Sequence, residues 1–136
     1  MAALGSTPVI LLVEDEDTVR DVTRRVLERA GYRVLCCQSP EEALEMLVDW
    51  KDRLDLLLSD VIMPGMNGPD LALRLQKLRP KLATLFISGY AELDVLGQLQ
   101  PPLASHIQKP FTAETLLSRV AEALNATNGT DLVPPR

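Results

Sequence analysis

The chain has 136 residues, 46% of them hydrophobic and 24% charged, with a formal net charge of −5 at pH 7. This length allows one domain that buries about two thirds of its unfolded surface without disulfides or metals. The negative charge argues against a surface for nucleic acid or anionic membranes, and no apolar run approaches the roughly 20 residues of a membrane span.

Strand-like and helix-like segments alternate along the chain. Apolar runs predict five strands, at residues 9–13, 33–37, 54–59, 83–87 and 105–108. Segments of helix length between consecutive strands imply a parallel sheet with right-handed crossovers and helices on both faces. The chain is therefore predicted to be an α/β protein with one domain over residues 8–125, between an N-terminal tail (1–7) and a C-terminal tail (126–136).

The helices are predicted from apolar residues at helical spacing and from residues that favour helix ends. Gly31 is expected to end the first helix in a left-handed conformation, and Ser39 with Pro40 to begin the second as an N-cap. The third helix is expected to begin near Pro69 and the fifth at Thr112. The apolar residues are Val19, Val22, Val26 and Ala30 in the first helix, Ala43, Leu44 and Leu47 in the second, Leu71, Leu75 and Leu78 in the third, and Leu116, Leu117, Val120 and Leu124 in the fifth.

The fourth predicted helix is the weak element of this pattern. Gly97 and the consecutive prolines Pro101 and Pro102 fall inside the segment 91–103, where they disfavour a regular helix. The apolar residues of the segment, which also keep poor helical phase, are Leu93, Val95, Leu96 and Leu99. A short or distorted helix is expected there.

The second predicted strand ends with two adjacent cysteines, Cys36 and Cys37. Neighbouring residues of a strand point to opposite faces of the sheet, so these two are not expected to form a disulfide with each other. The first six residues lack the charged and apolar regions of a signal peptide. A reducing, cytoplasmic location is therefore expected.

Polar side chains stand at the ends of four predicted strands. Glu14 and Asp15 follow the first strand, Asp60 the third, Ser88 the fourth and Lys109 the fifth. The carboxyl ends of parallel strands lie at one edge of a sheet, and α/β proteins bind ligands at this edge. These side chains are therefore expected to converge into one functional site.

The chemistry of this set favours phosphoryl transfer. Glu14, Asp15 and Asp60 would repel one another strongly at short range, and a divalent cation would relieve that repulsion. Oxygen ligands supplied by few protein groups suit Mg²⁺. Lys109 supplies a positive charge and Ser88 a hydroxyl donor for phosphoryl oxygens. Asp60, at the end of a central strand, is then the predicted nucleophile.

These residues resemble the motifs of the receiver domains of two-component response regulators. The matching pieces are the acidic pair Glu14-Asp15, Asp60 with the following Met63-Pro64-Gly65-Met66-Asn67-Gly68, the pair Ser88-Gly89, and Lys109-Pro110-Phe111. They occur in the family's order and spacing, and the resemblance covers the chain from about Pro8 to Leu124. It implies a flavodoxin-like (βα)5 fold with strand order 2-1-3-4-5 and a phosphorylatable signalling switch.

The resemblance also implies a reaction and its partners. Asp60 would accept a phosphoryl group from a phosphohistidine on a histidine kinase or a histidine phosphotransfer domain, with Mg²⁺ as cofactor. Self-catalysed phosphotransfer and dephosphorylation at Asp60 would be its only catalysis. Residues 88–125 would form a face for self-association or for an output partner, and neither nucleic acid nor membrane is an expected partner.

Individual roles follow from the resemblance in the same way. The expected metal ligands are the side chains of Asp15 and Asp60, the backbone carbonyl of Ile62 and, through water, Glu14. Ser88 and Lys109 are expected to stabilise the phosphoryl group, and Ser88 and His106 to form the switch. A cis peptide bond is expected between Lys109 and Pro110, where the lysine turns back over Asp60.

Two features depart from the family's usual pattern. His106, the only histidine, stands three positions before Lys109, where most receivers have tyrosine or phenylalanine. The weak helix at 91–103 belongs, in the family, to the usual output face. The sequence around Asp60 and the stretch 86–90 resemble receivers attached to hybrid histidine kinases. A stand-alone regulator and a receiver excised from a longer kinase are both compatible with this pattern.

Other interpretations stay open at this point. A haloacid-dehalogenase-like phosphatase also uses an aspartate, a hydroxyl, a lysine and Mg²⁺, but it needs a second aspartate where this chain has Ile62. An unphosphorylated interaction module is a further alternative. Glu14 and Asp15 could simply favour the start of the following helix. His106 could be a half-buried spacer, and Tyr90 could either restrict water at the site or pack on the surface.

Overall fold

The computed structural model describes residues 7–89 and 106–129. Within them the chain alternates between strands and helices, as the apolar pattern predicts. The elements, in chain order, are β1 (Val9–Val13), α1 (Asp17–Arg29), β2 (Arg33–Cys37), α2 (Pro40–Asp49), β3 (Leu56–Asp60), α3 (Gly68–Leu78), β4 (Ala83–Ser88), β5 (His106–Gln108) and α4 (Ala113–Gly129). The predicted fourth helix at 91–103 lies outside the described residues, so α4 corresponds to the fifth helix predicted from the sequence.

The strands form one parallel sheet with the order β2-β1-β3-β4-β5. This is the doubly wound, flavodoxin-like arrangement that the sequence predicts. The strand order reverses between β1 and β3, and sheets of this kind bind ligands above the carboxyl ends of the strands at that reversal. In the part of the chain that the structure describes, no helix is long and apolar enough to cross a membrane.

Each face of the sheet carries its own hydrophobic core. Leu11 of β1 joins the core beneath α2 and α3, whereas the adjacent Ile10 joins the core beneath α1 and α4. All five residues of β1 are buried because helices cover both faces of this strand. Cys37 lies in the first core and Cys36 packs against the second, so the two free cysteines face opposite sides of the sheet, as predicted.

The strand boundaries match the prediction at β1 and β2 and shift by one or two residues at β3 and β4. β3 begins two residues later than predicted, at Leu56, and continues through Asp60. Immediately before β3, the Asp55 carboxylate accepts a hydrogen bond from the backbone N–H of Val9 at 2.8 Å. This bond pairs the polar side chain that precedes the strand. β4 continues through Ser88. Asp60 and Ser88 are therefore both strand residues, held by the sheet rather than by a loop.

Parts of the predicted apolar helix stripes are exposed. Val22 is 54% exposed, and α1 buries Thr23 and Leu27 instead. Successive helix residues differ in direction by about 100°, so burying Thr23 turns Val22 toward solvent. Leu78 is 62% exposed because it is the last residue of α3, one turn beyond the buried Leu75.

The helix ends follow the predicted signals, with one extension. Gly31 has a φ of +100°, the left-handed conformation expected after α1. Ser39 Oγ accepts a hydrogen bond from the backbone N–H of Glu42 at 3.1 Å, so α2 has its predicted cap. α4 continues to Gly129 because no proline or glycine interrupts it earlier. It therefore includes residues 126–129, which the sequence places in the C-terminal tail.

Candidate functional site

The carboxyl edge of the sheet brings the predicted strand-end residues together. Asp60 is the last residue of β3, and Ser88 is the last residue of β4, the neighbouring strand. Lys109 continues β5, and its backbone N–H donates to the Ser88 carbonyl at 2.8 Å. Glu14 continues β1, and its N–H donates to the Cys37 carbonyl at 3.1 Å. The sheet register thus places acids, hydroxyl and amine at the same edge.

Three carboxylates face one another at this edge. Oxygen atoms of Glu14, Asp15 and Asp60 all lie within 4.8 Å of one another. Glu14 is 1% exposed and Asp60 is 3% exposed, whereas Asp15 is exposed. The acidic cluster expected from the sequence is therefore present, with two acids buried and one open to solvent.

Some buried polar atoms at this edge have no hydrogen bond within the protein. Among the described residues, the buried side-chain oxygens and nitrogens without a hydrogen bond are Glu14 Oε1, Asp60 Oδ1 and Ser88 Oγ. Native proteins normally pair buried polar groups, since an unpaired one costs about 1–3 kcal/mol. All three belong to strand-end residues, so the unpaired atoms indicate a site for a cation together with an acceptor for the Ser88 hydroxyl.

The electrostatics at Asp60 favour a second cation. Burial, together with the neighbouring Glu14 carboxylate, raises the pKa of Asp60 to about 9. Lys109 opposes this increase in pKa, with its Nζ 3.4 Å from Asp60 Oδ1. One ammonium group, 33% exposed, does not offset three clustered carboxylates. Oxygen ligands from few protein groups are the donors that Mg²⁺ prefers, so the set fits this ion.

The loop between β3 and α3 packs closely against the backbone of Asp60. A Cβ atom at Gly68 would lie 2.1 Å from the Asp60 carbonyl oxygen, and the Gly68 N–H donates to the Val61 carbonyl at 2.7 Å. Met63 is buried in the hydrophobic core, whereas Ile62 is 47% exposed. The sequence shows Gly68 as part of a motif only. Its close approach to Asp60 depends on a tertiary distance that no local pattern reveals.

Lys109 also lines a groove that the sequence does not reveal. The peptide bond between Lys109 and Pro110 is cis, as predicted. Beside it, α1 and the residues after β5 enclose a groove of about 310 Å³ with mainly apolar walls. Its lining includes Val19, Val22, Thr23, Lys109, Pro110 and Phe111. The exposed side chain of Val22 is part of this groove. Its exposure cannot be predicted until it is known which face of α1 packs on the sheet.

His106 begins β5 and is half-buried. It pairs in register with Phe86 of β4, and its backbone carbonyl accepts a hydrogen bond from Arg119 Nη1 at 3.0 Å. Tyr90 lies outside the described residues. The switch role expected for His106 and the role of Tyr90 therefore stay predictions.

Comparison with known sequences identifies one family. A family model for the response regulator receiver domain matches residues 10–121. The sensor kinase CckA of Brucella abortus is 40% identical over 123 residues, which are 89% of this chain and 13% of that protein. The response regulator receiver protein CpdR of the same organism is 34% identical over 118 residues, which are 86% of this chain and 97% of that protein. The chain thus matches a small part of the kinase and nearly all of CpdR.

Solved structures give the same fold. A response regulator receiver domain protein from Clostridium thermocellum has a TM-score of 0.80 at 27% identity, covering 89% of this chain and 97% of that chain. A CheY-like receiver domain protein from Methanospirillum hungatei has a TM-score of 0.80 at 29% identity, covering 92% of this chain and 99% of that chain. The similarity extends over nearly the whole of each of these domains.

Proposed function

The chain belongs to the response regulator receiver domain family, and on this premise we propose that Asp60 accepts a phosphoryl group from a phosphohistidine in a Mg²⁺-dependent reaction. As a receiver domain of two-component response regulators, it has a place in signal transduction. The observation that carries the proposal is the setting of Asp60. This carboxylate is buried, lies 3.4 Å from the Lys109 ammonium, and shares a 4.8 Å cluster with Glu14 and Asp15.

The three carboxylates are the proposed Mg²⁺ site. Glu14 Oε1 and Asp60 Oδ1 are buried without hydrogen bonds, and Asp15 is accessible, so the donors suit an oxygen-seeking dication. Asp15 and Asp60 would bind the ion directly and Glu14 through water, with the backbone carbonyl of Ile62 as a further ligand. When bound, the ion would offset the charge of the carboxylates and of the phosphoryl oxygens.

Asp60 is the proposed nucleophile. One of its carboxylate oxygens forms the new bond to phosphorus as the P–N bond of the phosphohistidine breaks, and the bonding electrons stay on the donor's imidazole nitrogen. The carboxyl group must be ionised to attack, and Lys109, 3.4 Å away, favours the ionised form. In the product, Lys109 Nζ and Ser88 Oγ would donate hydrogen bonds to phosphoryl oxygens. The buried Ser88 hydroxyl would thereby gain an acceptor.

Intact-mass measurement tests the acceptor directly. Wild-type protein incubated with acetyl phosphate and Mg²⁺ should gain the mass of one phosphoryl group, and Asp60→Asn should gain none. Asp70→Asn, which changes an exposed aspartate of α3, is the matched control and should be labelled like the wild type. An unlabelled wild type would favour an unphosphorylated interaction module. Full labelling of Asp60→Asn would place the acceptor elsewhere.

The phosphodonor is proposed to dock on the groove beside Lys109. The groove is mainly apolar and is lined by the cation that contacts Asp60, so a helix seated there would bring its phosphohistidine to the acceptor. The 40% identity with part of the sensor kinase CckA supports a histidine kinase or a histidine phosphotransfer domain as this donor. The proposed partner is therefore an amphipathic helix that carries a phosphohistidine.

Val22→Glu separates docking from chemistry. Val22 is 54% exposed within the groove, and a carboxylate there would oppose an apolar partner helix. Transfer from a phosphorylated histidine phosphotransfer domain should slow about tenfold, equivalent to roughly 1.4 kcal/mol, while labelling by acetyl phosphate stays unchanged. Val48→Glu, at a 68% exposed position of α2, is the control and should change neither rate. Equal losses with both donors would mean that the substitution damages the site itself.

Phosphorylation is proposed to be transmitted through the end of β4 and through β5. New phosphoryl oxygens on Asp60 would draw Ser88 and Lys109 inward and change the surface that includes His106. Self-association or an output partner is proposed to involve residues 88–125, of which 90–105 lie outside the described residues, in a cytoplasmic setting. The haloacid-dehalogenase-like alternative is not favoured, since it requires an aspartate at the position of the exposed Ile62.

A further inference from the structure

The loop that joins β1 to α1 carries an unusual density of negative charge. Four consecutive acids, Glu14, Asp15, Glu16 and Asp17, connect the last residue of the strand to the first turn of the helix. Glu16 occupies the N-cap position, and its side chain makes no capping hydrogen bond. Mutual repulsion would spread such a loop, so its compact form requires a positive group or internal hydrogen bonds.

Arg20 supplies that positive group. Its Nη1 donates to the Glu14 carbonyl oxygen at 2.8 Å, and its Nη2 donates to Asp17 Oδ1 at 2.5 Å. The planar guanidinium therefore spans both ends of the acidic loop with two different nitrogens. Its side chain is 21% exposed, which makes it the more buried partner of the pair with Asp17.

The loop that Arg20 spans presents two of the three clustered carboxylates. The Glu14 side chain is fixed on one side, because its Oε2 accepts the Glu16 N–H at 3.1 Å. Its Oε1 is buried without a hydrogen bond, and the Glu14 carboxylate has an oxygen within 4.8 Å of one from Asp60. The contact with the Glu14 carbonyl fixes the backbone from which both the Glu14 and the Asp15 side chains project.

We propose that Arg20 is a positioning residue for divalent-cation binding: its two hydrogen bonds hold the acidic loop so that Glu14 and Asp15 face Asp60. This inference rests on the proposed function of the three carboxylates. Arg20 acts through the Glu14 carbonyl and the Asp17 carboxylate, so its role differs from that of Lys109, which contacts Asp60 itself.

A positioning role and simple electrostatics predict opposite changes in Mg²⁺ affinity when Arg20 is replaced. Removing a positive charge near a cation site would, through Coulomb forces alone, strengthen Mg²⁺ binding. Removing a group that orients the ligands would weaken binding, by about tenfold or more for residues that support metal ligands. Arg20→Gln therefore distinguishes the two effects by direction. Arg20→Lys keeps the charge but replaces the planar two-point contact with a single ammonium.

The test is a Mg²⁺ titration of the unphosphorylated protein. Binding is monitored through the amide chemical shifts of Glu14, Asp15 and Asp60. Arg20→Gln should raise the Mg²⁺ dissociation constant about tenfold, and Arg20→Lys should also raise it. At saturating Mg²⁺, the rate of labelling by acetyl phosphate should return to within about twofold of wild type, because Arg20 does not touch the reacting group. If Arg20→Gln does not fold, Arg20→Lys carries the test, since electrostatics alone predicts no change for it.

Arg24→Gln is the matched control on the same helix. Arg24 donates to Glu28 Oε1 at 2.9 Å and Asp21 Oδ1 at 2.6 Å, both within α1, so its loss should leave Mg²⁺ affinity unchanged. The positioning role would be overturned by unchanged or tighter Mg²⁺ binding in Arg20→Gln, or by an equal loss of affinity in Arg24→Gln. If the wild type is still labelled at Asp60, the proposed function stands and only the positioning role fails. A wild type that binds no Mg²⁺ would overturn the proposed function and this inference together.

Discussion

The two edges of the sheet differ in how their charged groups are hydrogen-bonded. At the amino edge, where the strands begin, Arg53 donates to both carboxylate oxygens of Asp55 at 2.8 and 2.9 Å, and Asp55 also accepts the Val9 N–H. At the carboxyl edge, Glu14 and Asp60 each have a buried oxygen with no hydrogen bond. Polar groups at the first edge are hydrogen-bonded within the protein. At the second edge Lys109 lies 3.4 Å from Asp60 Oδ1, yet the two buried oxygens have no hydrogen bond and are available to a ligand.

The amino edge extends this pairing to the helices. Arg79, which follows α3, donates to the carbonyl oxygens of Trp50 at 2.7 Å and Asp52 at 2.9 Å. The Trp50 indole N–H donates to the Arg53 carbonyl at 2.9 Å, and the Arg33 guanidinium lies 5.0 Å from the indole ring centroid. A network satisfied in this way stabilises the connections between elements. Both edges carry charged groups, so charge density alone does not distinguish them, whereas buried oxygens without hydrogen bonds do.

The largest effect is expected from filling the close contact behind Asp60. Gly68→Ala would place a Cβ atom 2.1 Å from the Asp60 carbonyl oxygen, so the backbone of the loop or of the strand must shift. Overpacking of this kind should lower the free energy of unfolding by about 3 kcal/mol, measured by urea denaturation. Gly89→Ala is the control, because an added Cβ there meets no atom within 4 Å. Equal losses in the two variants would show that this contact relaxes at little cost.

An opposite effect is expected from neutralising Asp60 in metal-free buffer. Burial and the Glu14 carboxylate raise the pKa of Asp60 to about 9, so ionising this group opposes folding. Asp60→Asn removes the charge at nearly constant volume and should raise the free energy of unfolding at pH 7.5 by about 2 kcal/mol. Thermal or urea unfolding without divalent ions measures this gain.

The sign of the pH dependence follows from the raised pKa of Asp60. Below its ordinary value of 3.8 the carboxyl is protonated in both folded and unfolded states and costs nothing. As pH rises from 3.8 toward about 9, the unfolded state ionises readily while the folded state resists, so the advantage of Asp60→Asn should grow across this window. Mg²⁺ should stabilise the wild type far more than the variant. An advantage that stays constant with pH would contradict the assigned cause.

The fold and the residues that converge at the carboxyl edge could be predicted because their signals are local. Each strand is an apolar run, and Asp60, Ser88 and Lys109 end or follow those runs with polar groups. Once the strands are parallel, their carboxyl ends must lie at one edge. The order of elements alone therefore brings together groups that are far apart in the sequence.

The remaining features could not be predicted because they depend on tertiary distances and on helix rotation. Val22 fits the apolar spacing of α1, yet the helix buries Thr23 and leaves Val22 on the groove. In the sequence, Arg20 cannot be distinguished from an ordinary surface arginine of a helix. Its hydrogen bond to the Glu14 carbonyl is seen only in the folded loop. Gly68 likewise gains its meaning from the nearby Asp60 backbone.

The smallest expected effect concerns the paired edge. Asp55→Asn keeps an acceptor for the Val9 N–H but removes the charge that faces Arg53, whose side chain is 40% exposed and therefore screened by solvent. The free energy of unfolding should fall by about 1 kcal/mol, with the same loss in metal-free buffer and in Mg²⁺. Asp49→Asn, at an exposed position of α2, is the control and should lose little stability.

Because Asp55 and Asp60 bracket the same strand, the two Asp→Asn changes should shift stability in opposite directions. Labelling by acetyl phosphate should survive the first change and vanish with the second. A gain of stability in Asp55→Asn would mean that the amino edge, like the carboxyl edge, holds its charges at a cost.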